Sequence, residues 1–152
     1  LSMLIVSGHV QQNRRLSSAE RQGGVSTQFD CGPASLYLIC RSQGMFASLA
    51  ELKQQTFLSK AGTNLMSLKV AATQAGFHAE GVRVSATELH RRLRETAGSA
   101  ILHLPGRQHF VAVLDCSPHA FCIADPNSGC AYWDLDQLAQ EGWKGHALLL
   151  TR

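Results

Sequence analysis

The spacing of apolar residues changes once along this chain, near Gly98, and that change constrains the fold more than any other feature. Before it, apolar residues recur at three and four; after it, they alternate or form short blocks. From Cys31, the residues Leu36, Ile39 and Cys40 keep helical spacing, with Ala34 and Leu38 filling in and Gly44 ending the run. Residues 48–58 read as a second helix, with Ser48 at the N-cap and Glu51 three positions on, a capping box. Asn64 caps a third helix, whose stripe is Leu65, Leu68, Ala72 and Ala75 and whose end is Gly76. A short strand over 78–84 follows, and Ser85 caps a fourth helix with Glu88 three positions on. Beyond Gly98, residues 100–104 form an apolar run closed by the turn signal Pro105-Gly106. Residues 108–115 alternate and are β-branched, Ser117-Pro118 suits a tight reversal, and 120–124 form the next strand. Asp125-Pro126-Asn127 and Gly129 end it, residues 134–140 form a short helix, and 147–150 a last strand. Helices first and antiparallel strands second predict an α+β domain, its N-terminal helices packed on one side of a C-terminal antiparallel sheet.

At 152 residues the chain fits one domain with enough apolar surface to fold unaided. Residues 1–24 carry polar and glycine breakers and read as a linker or N-terminal arm, leaving 25–152 as the domain. No stretch of 18 apolar residues is present, so no membrane span is expected within the chain. The opening LSMLIVSGHV lacks the basic flank and cleavage site of a signal peptide, and reads as an added segment or a cut from a longer chain. A net charge of +3 is too small to argue for nucleic acid. Five cysteines cannot all pair internally. They contain no CxxC, and His119 between Cys116 and Cys122 has no recognised zinc spacing. Free thiols point to a reducing, cytoplasmic compartment.

The chemistry begins at Gln28-Phe-Asp-Cys31-Gly-Pro-Ala34. Here a cysteine opens an apolar helix, and Pro33 has no N–H to lose in a first turn. The positive end of the helix favours a thiolate, the reactive form of cysteine. Gly32 lets a substrate backbone come close. The plain alternative is a buried cysteine that happens to start a helix. His109 begins a strand just past Pro105-Gly106, where an imidazole can reach a helix N-terminus and exchange a proton with a thiol. His9, His78, His90, His119 and His146 read as ordinary rim histidines, and His103, on the neighbouring strand, is the one rival base. Asp125 ends the next strand. If 108–115 and 119–124 form a hairpin, its carboxylate returns to the edge of His109 and can fix the imidazole tautomer. The alternative is a turn aspartate, since Asp-Pro-Asn is itself a turn signal.

The three blocks DCGPASLYLIC, HFVAVLD and IADPNSG, in this order and with 78 positions from Cys31 to His109 and 16 more to Asp125, resemble the bacteriocin-processing cysteine peptidases. These are papain-like domains at the N-terminus of peptide-exporting ABC transporters, with free-standing relatives. The likeness runs from about Gln28 to Leu150 and includes SLAELKQQ and GTNLMSLKVAATQAGF as the two helices after the nucleophile helix. It implies a papain-like fold with Cys31 as nucleophile, His109 as general base and acid, and Asp125 as its orienter. It implies a leader-peptide substrate cut after a small-residue pair of the Gly-Gly type through an acyl-enzyme, with no metal or nucleotide needed by the domain itself. A narrow groove around Cys31 would give that selectivity. An ABC exporter outside this chain is the implied partner, with the domain at the cytoplasmic face of the membrane. The family usually places its oxyanion-hole glutamine six residues before the cysteine, where this chain has Val25. Gln28 is the favoured substitute, with the Cys31 N–H as second donor; Gln22 or backbone N–H groups alone are the alternatives. Two other functions share the pattern: a leader-binding module without turnover, and another cysteine-dependent acyl transfer such as an amidase or transamidase.

The remaining features receive structural readings. Arg91, Arg92 and Arg94 form a solvated helix face; Tyr132, Trp133 and Trp143 pack in the core; Phe110 and Leu114 are sheet interior. Leu49, Leu52 and Phe57 form a core stripe, with a groove for a helical leader as the alternative.

Overall fold

Helix α1 (Cys31–Ser42) is buried from Cys31 through Cys40 and becomes exposed only at Arg41. A helix apolar on nearly every side must be covered on every side. Here the sheet lies beneath it, with α2 (Leu49–Thr56) and α3 (Leu65–Ala75) alongside. Leu36 and Ile39 are fully buried, and each contributes about 1.5–3 kcal/mol by leaving water. The computed structural model describes residues 30–56 and 64–152. The expected arm over 1–24, His9, Gln22, Val25, Gln28, Phe57 and Leu58 lie outside the described residues.

The rest of the chain is β1 (His78–Arg83), α4 (Ala86–Thr96), β2 (Ser99–Leu104), a 3₁₀ turn (Pro105–Arg107), β3 (His109–Ser117), β4 (Ala120–Asp125), β5 (Gly129–Asp134), α5 (Leu135–Gln140) and β6 (His146–Thr151). The strands form one sheet in the order β1-β6-β2-β3-β4-β5, antiparallel throughout. The α+β expectation holds, with the N-terminal helices on one face as predicted. That face carries Ala79, Ile101, Phe110, Ala112, Ala124, Leu148 and Leu150 against α1–α3. The packing is two-sided, however. Alternate positions, including Leu102, Val111, Val113, Ile123 and Leu149, face the other way and pack with Leu89 and Leu93 of α4 and Leu138 of α5. Strands with both faces apolar need cover on both.

The caps follow the sequence in part. The Asn64 side chain accepts from Ser67 N–H at 2.9 Å and the Ser67 hydroxyl accepts from Asn64 N–H at 3.2 Å, a reciprocal box. Ser85 accepts from Glu88 N–H at 3.1 Å, but the Glu88 carboxylate turns to Arg91 instead of back to the cap. Strand β5 was not expected. It is a sheet edge, half exposed, without clean alternation. Trp133 and Trp143 are buried, whereas Tyr132 is 46% exposed, which corrects its core assignment: it sits on the open face of that edge. Arg91 and Arg94 of α4 are exposed, as a solvated face requires, and Arg92 is half-buried. Arg91 pairs with Glu88 and Glu95, Arg92 with Glu80, and Arg94 donates to the Cys116 carbonyl.

Candidate active site

Cys31 is the first residue of α1. Its place follows from the local sequence: the Asp30 carbonyl accepts from Ala34 N–H at 3.0 Å and closes the first turn. The Asp30 side chain makes no capping bond, and its carboxylate pairs with Lys53 Nζ at 3.6 Å. Pro33 has no N–H, so the donors of the first turn belong to Cys31 and Gly32.

His109 is delivered by a sharp change of direction. Gln108 adopts φ +48, and its N–H donates to the Pro105 carbonyl at 3.1 Å. A left-handed residue other than glycine costs ~1–2 kcal/mol, so the backbone entering β3 is held against its preference next to the imidazole. The His109 Nε2–H donates to Asp125 Oδ1 at 2.8 Å. Its ring also hydrogen-bonds with Cys31, and with Nε2 engaged, Nδ1 is the nitrogen that faces the sulfur. Burial works to lower the His109 pKa, but the hydrogen bonds and charges of Asp125 and Cys31 outweigh it and raise it to about 9. Burial likewise works to raise the Asp125 pKa. Its bonds to His109, Asn127 and Ser128 and the His109 charge win, and the carboxyl stays below its ordinary 3.8.

Asp125 is both a turn residue and the partner of His109, and one oxygen serves both roles. Oδ1 also accepts from Asn127 N–H at 2.9 Å, an Asx turn that fixes the carboxylate. The side chain reaches the face of His109 through a bulge. Near the reversal Ser117 faces Ala120 and Asp115 faces Cys122, but beyond a shift between Val113 and Asp115, Ala112 faces Ala124. That shift carries Asp125 alongside Val111, on the same side of the sheet as His109 and diagonal to it. Without it Asp125 would lie opposite Ala112, on the other side.

One donor escaped the sequence reading. The Phe110 N–H donates to Cys31 Sγ at 3.3 Å. No side-chain signal marks a backbone amide at the start of a strand; only the packing of α1 on β3 reveals it. His103, the rival base, faces Phe110 across the β2–β3 pair and stacks on it, ring centroids 4.8 Å apart and tilted by 31°. Burial and the nearby His146 lower its pKa. The structure therefore brings His109, not His103, to Cys31. His90 bonds to the Ser117 carbonyl at 2.7 Å and meets Phe121 edge-on, a structural role. Cys31 and His109 are 1% and 6% exposed.

Residues 25–152 match the family model described as the peptidase C39 family. An uncharacterised protein of Methanothermobacter marburgensis is 32% identical over 104 residues, 68% of this chain and 70% of that protein. A lactococcin transport/processing ATP-binding protein of Lactococcus lactis is 26% identical over 128 residues, 82% of this chain but 18% of the longer protein. Two solved structures share the fold. A double-glycine-motif protease from an AMS/PCAT transporter, determined with its leader peptide, aligns with TM-score 0.69 at 22% identity, covering 84% of this chain and 88% of that one. The peptidase domain of Streptococcus ComA, a bifunctional ABC transporter, aligns with TM-score 0.68 at 23% identity, covering 83% and 94%. With the family model matched over nearly all of the α+β domain, this chain belongs to the peptidase C39 family.

Proposed function

We propose that this protein is a cysteine endopeptidase that cuts a leader peptide after a small-residue pair of the Gly-Gly type. The observation that carries the reading is the unbroken line of contacts from Cys31 through His109 to Asp125. Cys31 Sγ attacks the scissile carbonyl carbon. The imidazole delivers its Nδ1 proton to the leaving nitrogen, the C–N bond breaks, and a thioester remains. Water then adds to the thioester as His109 takes its proton, and the acid product leaves with the Cys31 sulfur restored. Asp125 holds the tautomer and supports the imidazolium.

The tetrahedral oxygen is stabilised by the Cys31 N–H at the start of α1, assisted by the side chain of Gln28, or of Gln22 in its place. The deep setting of the sulfur supports the small-residue preference, since a carbonyl reaches it only when its flanking residues lack bulk. Residues 25–152 form the peptidase domain and 1–24 an arm. The resemblance to transporter peptidase domains supports a leader-peptide partner, a link to peptide export, and action at the cytoplasmic face of a membrane.

The test is incubation with a synthetic peptide containing one Gly-Gly pair, with products read by mass spectrometry. Hydrolysis after the pair, lost in Cys31→Ala without loss of folding, is expected. Intact peptide with the wild-type chain would reduce the protein to a binding module, and an amine-capped product would make it a transamidase.

A further inference from the structure

Of the ten described lysines and arginines, four are held by a carboxylate and six are not: Lys53 pairs with Asp30, Arg91 with Glu88 and Glu95, Arg92 with Glu80, and Arg107 with Glu141. Arg83 and Lys144 are exposed and have no carboxylate partner among the described residues. They lie together. Arg83 ends β1 opposite His146. Lys144 is two residues before His146, in a loop pinned by Val84 N–H donating to the Gly145 carbonyl at 2.9 Å and by the Trp143 indole donating to the His146 carbonyl at 2.8 Å.

From there a row of side chains crosses the sheet to the sulfur. Leu102 faces Ala147, so the next residues, His103 and His146, adjoin, and His146 acts on the charge of His103. His103 stacks on Phe110, and the Phe110 N–H meets Cys31. By strand alternation from Leu148 and Ile101, the row lies on the face that carries α1–α3. Adjacent strands are ~4.8 Å apart, so the three steps from Phe110 to Arg83 span ~14 Å, about four residues of an extended peptide at ~3.3 Å each. The nearby acids are engaged: Glu141, in the loop of Lys144, holds Arg107, and Glu80, on the opposite face of β1, holds Arg92.

We infer that Arg83 and Lys144, at the far end of this row, form a subsite for a carboxylate side chain of the peptide, about four residues from the bond presented to Cys31. The inference rests on the peptidase reading for the identity of the ligand. The Arg83 guanidinium offers a planar fork that fits a carboxylate, and Lys144 adds a mobile second charge. His146 and His103 line the path between subsite and sulfur.

Binding by the Cys31→Ala chain tests this without turnover. Labelled synthetic peptides carry one Gly-Gly pair and a single Glu moved through successive positions on either side of it, each matched by its Gln counterpart. Fluorescence anisotropy at low salt is expected to show tighter binding of Glu than Gln by about three- to tenfold, the range for one or two exposed ion pairs, with the maximum about four residues from the pair. The preference should shrink as salt is added. It should vanish in an Arg83→Gln, Lys144→Gln double variant that still binds the Gln peptides normally. Equal binding of Glu and Gln peptides, a preference that survives the double variant, or no binding of any peptide overturns the subsite. The same peptides given to the wild-type chain separate the two readings. Cleavage without a Glu preference leaves the peptidase standing and removes the subsite, whereas a Glu preference in binding without cleavage does the reverse.

Discussion

His109 donates from Nε2 to Asp125 Oδ1 over 2.8 Å, and this one contact decides which nitrogen of the imidazole is left for Cys31. Asp125 is fixed in turn by the Asn127 amide on the same oxygen. Ring, carboxylate and turn are thus joined by hydrogen bonds on one oxygen, beside the Cys31 sulfur.

Asp125→Asn should lower kcat by about 10²–10⁴-fold, the range for loss of a well-placed acid–base partner, with a smaller effect on KM. The amide cannot support the imidazolium, so the basic limb of the pH–rate profile, expected near the His109 pKa of about 9, should move to lower pH. A kcat/KM profile from pH 5 to 10 is the measurement. An unchanged basic limb would separate Asp125 from the titration of His109.

Stability should depend on pH in a defined direction. The His109 pKa is raised from its ordinary 6.5 to about 9 in the folded chain, so its contribution is full below 6.5 and fades as pH rises through about 9. Asp125 is depressed below 3.8, so its contribution is full above 3.8 and fades as pH falls through its lower folded value. Melting temperature should therefore decline between about pH 6.5 and 9, and His109→Gln should flatten that decline. A variant with the same slope as wild type would place the titrating group elsewhere.

Thiol labelling should be selective despite burial. Burial pushes the Cys40 thiol up to about 11 and the Cys116 and Cys122 thiols up to about 12, so at neutral pH these three hold their protons. Cys31 has the His109 ring and the Phe110 amide turned toward its sulfur. Limited iodoacetamide treatment and peptide mass mapping should find Cys31 modified ahead of Cys40, Cys116 and Cys122. Equal labelling of the four would count against a reactive sulfur at Cys31.

Gly145→Ala should destabilise the chain. Gly145 has φ +104, and a Cβ there would meet the Val84 carbonyl oxygen at 2.9 Å, backbone that cannot move aside cheaply. A cost of ~1–3 kcal/mol, or roughly 3–10 °C in Tm, is expected in a thermal melt. Gly129→Ala gives a control, since it shares a positive φ but has open space around its Cβ.

Much of the fold was legible because α1 carries its apolar run and closing Gly44 locally, and α3 and α4 carry their side-chain caps. The Asn64 and Ser85 caps lie where their side-chain chemistry places them. Strand β5 was not legible: an edge strand answers to its neighbour β4 and leaves Tyr132 to solvent, so no alternation betrays it. The second helical layer was missed for a related reason, since a continuous apolar strand does not say which helices cover each face. The oxyanion donors expected at Gln28 or Gln22 fall outside the described residues.

The chain by itself determined the chemical cast: a cysteine at a helix start, a histidine at a strand start and an aspartate before proline, because each depends on a short local signal. Only the tertiary structure decided that they meet. A one-residue shift between Val113 and Asp115 turns the Asp125 side chain to the face of His109, and α1 lying on β3 brings the Phe110 amide to the Cys31 sulfur. Pairing register and interlayer packing are set by contacts far apart in sequence, and local spacing holds no record of them.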